Sequence, residues 1–347
     1  MEALESRKRT RSDDDPLSIR SKRHQSNNGD WQSLGYCDYT VGWVCALPIE
    51  MAAAVAMLDS IHVPLPRKKG DINTYTFGCV AEHNVVIACL PAGQYGTNNA
   101  ATVATNMSRS FSSITIRLMV GIGGGVPDGG IDIRLGDVVV GNEVMQYDLG
   151  KVLPDSQFQR TGRTTTPPHT IMTAVSKLQA DYEKAPSRIP SILFDMLDRH
   201  EHMTSYARPS LPDRLFRHTY KHTQEMDNCE RCDLSEVLER PHRETAKTRI
   251  HYGKIASGNQ VVKDGETRAK MAEELGIICF EMEAAGLHDF PCLAIRGICD
   301  YSDSHKNKAW QKYSAAVAAA YAKELLSVIP TQQRRDTEAT DPTTSTF

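Results

Sequence analysis

Residues 276–305, GIICFEMEAAGLHDFPCLAIRGICDYSDSH, hold two short apolar runs that each end in an acid. The first closes with Phe280-Glu281-Met282-Glu283; the second, Leu293 to Cys299, stops at Asp300. Apolar runs of this length, bounded by polar or turn residues, predict strands buried in a parallel sheet. A carboxylate just past the end of such a strand lies where open α/β sheets hold ligands. The two acids stand about 17 residues apart, a spacing that fits a strand–helix–strand unit and lets both line one crevice.

The rest of the chain continues the pattern. Tyr39 to Leu47 reads as a first strand, and Pro48 opens a helix, with Glu50 in its first turn. Tyr75–Val80 and Val85–Leu90 predict a hairpin across Glu82-His83-Asn84. Thr97 is placed to cap the helix that follows the turn Pro91 to Gly96. The strand Ile116 to Val120 runs into Gly121-Ile122-Gly123-Gly124-Gly125. A glycine-rich loop there would let backbone N–H groups approach an anion or a sugar; the spacing is not that of a dinucleotide fingerprint. Strands at 136–140 and 251–258, a helix from Thr267 to Leu275 and an Ala-rich amphipathic helix from Trp310 to Leu326 complete an α/β chain.

Composition excludes some function classes. Charged residues are 24% and hydrophobic residues 40%, which predicts a folded core, and a net charge of -3 argues against a nucleic-acid partner. No apolar run reaches the ~18 residues of a membrane span, and the N-terminus lacks a signal-peptide pattern. Cysteines inside strand patterns (Cys45, Cys89, Cys279, Cys292) suit a reduced, cytoplasmic compartment. Residues 1–36 read as a disordered basic tail. Its clusters Arg7-Lys8-Arg9-Thr10-Arg11 and Arg20-Ser21-Lys22-Arg23 are either a bipartite nuclear address or plain solvated charge. Residues 331–347 read as a second tail, leaving one domain over 37–330.

Within that domain, about 151–248 is rich in charge, Pro and His and reads as an insertion, helical near 168–184 and 189–200. It carries His218 and His222, then Cys229 and Cys232, with His242 beyond. Two His four apart share a face if helical, and CxxC chelates through a tight turn, so a structural zinc is one reading and exposed polar residues the other. Nothing else in the sequence asks for a cofactor.

EMEAAG followed by AIRGICD resembles the EMEA…RxxSD signature of the purine nucleoside phosphorylase / methylthioadenosine nucleosidase superfamily. The resemblance runs from about residue 38 to about residue 330, and is similar to nucleosidase-like domains at the N-terminus of fungal immune-receptor-like proteins. It implies a three-layer α/β/α sandwich around a mixed, largely parallel twisted sheet, usually assembled as a homo-oligomer. It also implies roles. Asp300 matches the aspartate that protonates the purine's imidazole nitrogen, and Cys299 replaces the serine common before it. Glu283 matches the glutamate on the ribose hydroxyls, Met282 packs on the sugar, and Gly123 and Gly124 face it. Glu50 matches the glutamate that activates water. Val261 and Val262 stand at the loop that meets the base, with Val261 in place of an aromatic ring. Trp310 either covers the substrate or anchors the last helix, and Glu281 is expected to point away. Lys263, Arg268, Lys306 and Lys308 are the cations within reach of any 5′ phosphates.

These roles predict hydrolysis of the N-glycosidic bond of a purine nucleoside or nucleotide, of the adenosine, methylthioadenosine or ATP type. Glu50 decides between water and phosphate, because a carboxylate repels an anionic nucleophile, and Ile122 offers no hydroxyl to hold one. A phosphate-dependent purine or uridine phosphorylase is the competing enzyme. A catalytically silent nucleoside-sensing or oligomerisation module is the alternative of another class.

Overall fold

In the first strand, β1 (Val41–Cys45), Val41, Trp43 and Cys45 enter one apolar layer and Val44 the other. Both faces are covered, so the strand is apolar throughout rather than alternating. The structure, a computed structural model, describes residues 34–127, 130–222, 229–243 and 247–331. The two basic clusters and residues 332–347 lie outside these. Leu34 and Tyr36, read from the sequence as part of a tail, pack on the core, and Tyr36–Asp38 form a 3-10 turn.

Helix α1 (Pro48–Ala56) follows β1, and β2 (Ser60–Ile61) leads to the hairpin of β3 (Tyr75–Val80) and β4 (His83–Cys89). Its turn is Ala81-Glu82, at φ 48 and 69, one residue earlier than the sequence suggested. Two left-handed residues give the turn twist that suits a hairpin, here without glycine. Then come α2 (Thr97–Ser110), β5 (Ile116–Gly125) and β6 (Val138–Gln146). A small hairpin, β7 (Gly150–Val152) and β8 (Phe158–Arg160), precedes β9 (Thr164–Thr165), α3 (His169–Tyr182) and α4 (Ile189–Arg199). The chain finishes with β10 (Ile250–Ser257), α5 (Gly265–Leu275), β11 (Ile277–Glu281), β12 (Leu293–Asp300) and α6 (Gln311–Leu326).

Strands β4, β1, β5 and β12 are parallel, each to the next, so their carboxyl ends share one edge. β6 pairs antiparallel with β12 and parallel with β10. β11 pairs parallel with β10 and antiparallel with the end of β5, setting Phe280 opposite Gly124. β5, β12, β6, β10 and β11 thereby close into a ring. β11 and β12 are not neighbours, and the link between them is a single 3-10 turn, Ala284–Leu287, so the expected strand–helix–strand unit is tighter than its spacing implied. α1, α3, α4 and α6 cover one face and α2 with that 3-10 turn the other, the predicted three-layer sandwich around a mixed sheet.

The last helix departs from its expected amphipathic form: every residue of α6 from Tyr313 to Ala322 is buried. Alanine gives the helix a narrow cross-section, and it lies directly on β12. A Cβ at Gly297 would run into the Ser314 main chain, while Ser314 Oγ donates to the Ile298 carbonyl at 2.7 Å. Gly297→Ala is therefore expected to destabilise the fold by about 1–3 kcal/mol through overpacking, read as a lower denaturant midpoint.

The segment 151–248 divides in two. Its first half supplies Ile171, Val175, Ile192 and Met196 to the main core. From about residue 207 onward regular structure among the described residues is sparse, with a bridge (Phe216 to Val237) and a 3-10 turn at Leu234–Glu236. His218 lies in an exposed turn, not on a helix, so the expected shared face with His222 does not form. Among the described residues no helix is long and apolar enough to cross a membrane.

Candidate active site

Arg296 stands mid-strand in β12, in an otherwise apolar run, and is fully buried. A guanidinium there requires anionic partners. Its Nη2 donates to Glu281 Oε2 and lies 3.5 Å from Glu283 Oε2. Glu50 is close on another side: a Cβ built on Gly121 would collide with the Glu50 carboxylate and fall 2.7 Å from Arg296 Nη1. Burial opposes the charge on Arg296, yet Glu281, Glu283 and Glu50 together push its pKa above the ordinary arginine value.

Backbone N–H groups hold Glu281 and Glu50 in place. Glu281 ends β11 and accepts from the Glu283 and Ala284 N–H groups, at 3.0 Å each to Oε2. It faces inward, against expectation, because the tight turn after β11 brings its own N–H groups back over the carboxylate. Glu283 is 5% exposed; burial, reinforced by Glu281 and Glu50 and opposed by Arg296, pushes its pKa up to about 8. Glu50 Oε2 accepts from the Ala46 and Leu47 N–H groups at 2.7 and 3.0 Å, and Oε1 from Ile122 N–H at 2.8 Å. Burial raises the Glu50 pKa against those three donors and Arg296. A carboxylate offers about four lone-pair positions, so three donors leave one for a ligand.

The glycine run is part of β5 itself and not a loop after it. Its glycines make room for side chains. Gly121 admits Glu50 and Arg296, and a Cβ on Gly124 would come within 2.9 Å of Asp300 Oδ1. Asp300, the last residue of β12, pairs in register with Gly124. Its Oδ1 accepts from Ser302 N–H at 2.9 Å, while Cys299 Sγ and Lys306 Nζ each lie 3.2 Å from Oδ2. Ser302 is buried at φ 53, a left-handed strain that folds its N–H back onto the aspartate. Burial raises the Cys299 thiol well above the ordinary value, so it acts here as a neutral donor.

Glu50, Glu283 and Asp300 open onto one cleft of about 500 Å³ at the shared carboxyl edge. Gly123, Gly124 and Cys299 line it from the strands, Met282 from the turn, and Val261 and Val262 from the loop after β10. That loop is tied down: Tyr147 donates to the Gln260 carbonyl at 2.8 Å, and Asn259 Oδ1 accepts from Thr97 N–H at 3.0 Å. Asn259, rather than Thr97, thus caps α2. The aromatic ring missing at Val261 has a counterpart in Phe280, which lines the cleft and meets Tyr147 edge-on at 5.6 Å.

Trp310 and Arg268 lie away from the acidic cleft. Trp310 is 2% exposed and lies against Tyr313 and Arg208; it anchors α6 and lines a second cavity of about 720 Å³, not the acidic cleft. Arg268 is buried under the loop after Asp300, donating to the Tyr301 carbonyl at 2.8 Å and pairing with Asp303, so it reaches no ligand. Lys263, Lys306 and Lys308 do line both cavities, gathered at Asp300 where the two meet. Sequence reasoning missed Arg296, Glu281, Phe280 and Ser302 as site residues. The signal for Arg296 was present, since a charge inside an apolar strand must be paired.

The profile of the Phosphorylase superfamily matches residues 40–329. The chain belongs to the phosphorylase superfamily. Among superfamily relatives, a nucleotide-binding leucine-rich repeat (NLR)-like protein of Hyaloscypha variabilis is 45% identical over 310 residues, 86% of this chain and 30% of that protein. The chain thus spans under a third of that relative. A 5′-methylthioadenosine/S-adenosylhomocysteine nucleosidase of Mycobacterium bovis is 26% identical over 297 residues, 84% of this chain and 97% of the relative. The ATP nucleosidase Cap17 of Escherichia coli is 24% identical over 292 residues, 81% of this chain and 50% of that protein. The fold is shared with the Helicobacter pylori 5′-methylthioadenosine/S-adenosylhomocysteine nucleosidase, at a TM-score of 0.53 and 16% identity over 84% of this chain and 99% of that one. It is shared likewise with the futalosine hydrolase of the same organism, at 0.53 and 15% over 83% and 97%.

Proposed function

We propose that the chain is an N-ribosyl hydrolase that frees the base from a purine nucleoside or nucleotide, with adenine as the base. The observation that carries this is the opening of Glu50, Glu283 and Asp300 onto one cleft, with Arg296 the cation that acts on Glu50 among the described residues. Arg296, the cation near Glu50, is committed to Glu281 and Glu283. A phosphate nucleophile beside Glu50 would face a carboxylate, whereas water would find a base. In the reaction, water oxygen bonds to the anomeric carbon and gives its proton to Glu50. The glycosidic electron pair leaves with the base, which takes a proton from Asp300. Glu283 holds the sugar hydroxyls and stabilises the cationic sugar between these events. Phe280 supplies an apolar edge for the base. The named nucleosidase relatives support the chemistry, and their different substrates leave the 5′ group to experiment.

The test is chromatography of adenosine, methylthioadenosine, ADP and ATP incubated with the chain. Free adenine should form at the same rate with and without phosphate. Ribose 1-phosphate among the products, or strict dependence on phosphate, would reverse the assignment to a phosphorylase. The homo-oligomer belongs to the same proposal: Tyr95, 51% exposed at the cleft, is a surface for a neighbouring copy to cover, which light scattering reads.

A further inference from the structure

The irregular second half of the insertion packs against the loop that follows Asp300. Tyr301 donates to Asp213, and Arg240 donates to both, at 2.8 Å each. Ser304 Oγ accepts from His222 N–H at 2.9 Å. Two elements distant in sequence are therefore held together beside the site, and between them lies a cluster these contacts do not explain.

The ligand atoms of His222, Cys229 and Cys232 all fall within 4.8 Å of one another. Around a tetrahedral zinc, with Zn–S about 2.3 Å and Zn–N about 2.0 Å, ligand atoms sit roughly 3.3–3.8 Å apart, so only a small contraction separates the cluster from a closed site. His218 is exposed and is no candidate for the fourth partner. The candidate is His305, which lies outside that 4.8 Å group and would have to move toward it. This imidazole is 8% exposed, and neither ring nitrogen has a hydrogen-bond partner among the described residues. Leaving both ring nitrogens unmet in an apolar setting is costly to the fold. The ring is nonetheless clamped, stacked on Phe216 at 4.0 Å and on Tyr220 at 5.3 Å, with its centre 5.4 Å from that of His222. Cys229 Sγ lies 3.8 Å from the His305 carbonyl, so the thiol already touches this residue. Nδ1 of His305 is 3.8 Å from Asp303 Oδ1, too far for a hydrogen bond, and a small turn of the ring would create the carboxylate–histidine arrangement that orients a metal-ligating imidazole and leaves Nε2 for the ion.

We propose that His222, Cys229, Cys232 and His305 bind one structural zinc ion that pins the insertion to the loop after Asp300. Two thiolates and two neutral imidazoles around Zn²⁺ make a neutral unit, so its burial carries little charge penalty. Such closed Cys₂His₂ sets are structural, with no position left open for water. The role is one of positioning. His305 adjoins Lys306, whose ammonium lies 3.2 Å from Asp300, so the ion would set the loop that brings this cation to the aspartate.

The test is made on the full chain without a histidine tag, passed through gel filtration and analysed for metal by mass spectrometry. About one zinc per chain is expected. Cobalt substitution should give the intense visible bands of a tetrahedral site together with thiolate charge transfer. Cys229→Ser with Cys232→Ser should abolish binding. His222→Ala and His305→Ala should each weaken zinc retention against a competing chelator by about tenfold or more, while His218→Ala leaves it unchanged. The cobalt spectrum uses the unaltered chain, so a variant that fails to fold does not spare the proposal. Less than a tenth of an equivalent of any transition metal with no cobalt spectrum would overturn it, as would a Cys229–Cys232 disulfide in the freshly purified chain. Wild-type retention in His305→Ala would overturn the four-residue assignment. Metal content is read without any nucleoside, so this result stands apart from that of the hydrolysis assay.

Discussion

Asp300→Asn is expected to lower the rate of base release by about 10²–10⁴-fold, the usual contribution of a positioned general acid, with KM changed only a few-fold. The substitution keeps the shape of the residue. An asparagine oxygen can still accept from Ser302 N–H, the contact that fixes the Asp300 side chain at 2.9 Å, so the loop should hold its place. What disappears is the proton for the departing base. Single-turnover release of adenine, with a binding measurement on the same sample, separates the two effects. An unaltered rate would remove Asp300 from the chemistry, whereas no base release even by the wild type would return the chain to the reading of a silent sensing module. The biological effect surviving in this variant while ligand still bound would point the same way.

The second large effect concerns Arg296. Arg296→Met fits a buried, apolar strand but strips the counter-charge from Glu281 and Glu283. Breaking a buried pair by removing one partner costs about 3–5 kcal/mol, because the remaining charge is left uncompensated. The loss should depend on pH in a definite direction. Burial already pushes Glu283 up from 4.5 to about 8 with the arginine in place. Its folded form therefore binds the proton more tightly than its unfolded form. That contribution to stability is complete below about pH 4.5 and disappears as pH rises through about 8. Without the arginine, the carboxyl groups need their protons more. The gap in denaturant midpoint between wild type and variant should then widen from pH 5.5 to pH 8, and equal losses at both would argue that Arg296 matters only as packing. Arg296→Lys should recover part of the stability, since it restores the charge but not the planar fork.

Much of this was legible in the chain. The strand ends at Glu283 and Asp300 showed as apolar runs stopped by acids, and Glu50 showed as an acid in the first turn after a strand. What periodicity could not show was which strands become neighbours. β11 and β12 looked like adjacent strands and are not, because β11 turns aside to pair with β10 and the end of β5. The glycine run misled in the same way: glycine in sequence suggested a loop, whereas in space each glycine yields room to a neighbour's side chain. Glu281 looked outward by simple alternation, but the tight turn after it rewrites the geometry. Trp310 stands on the wall of a second cavity and Arg268 beneath the loop after Asp300, placements that depend on how distant segments pack. The pairing of the insertion's cysteines with His305 rests on long-range contact, which no local pattern encodes.

The ring closed by β11 has a kinetic consequence. Two ladders of main-chain bonds, to β10 and to β5, lock the wall that carries Phe280, Glu281 and Glu283. That side of the cleft cannot swing without breaking both. Traffic in and out must therefore pass the opposite rim, residues 259–263 and 302–310, which side chains hold through Tyr147, Asp148 and Lys306. Turnover in such a molecule would be paced by how quickly that rim yields, and the rigid half would act as the template against which each incoming molecule is aligned.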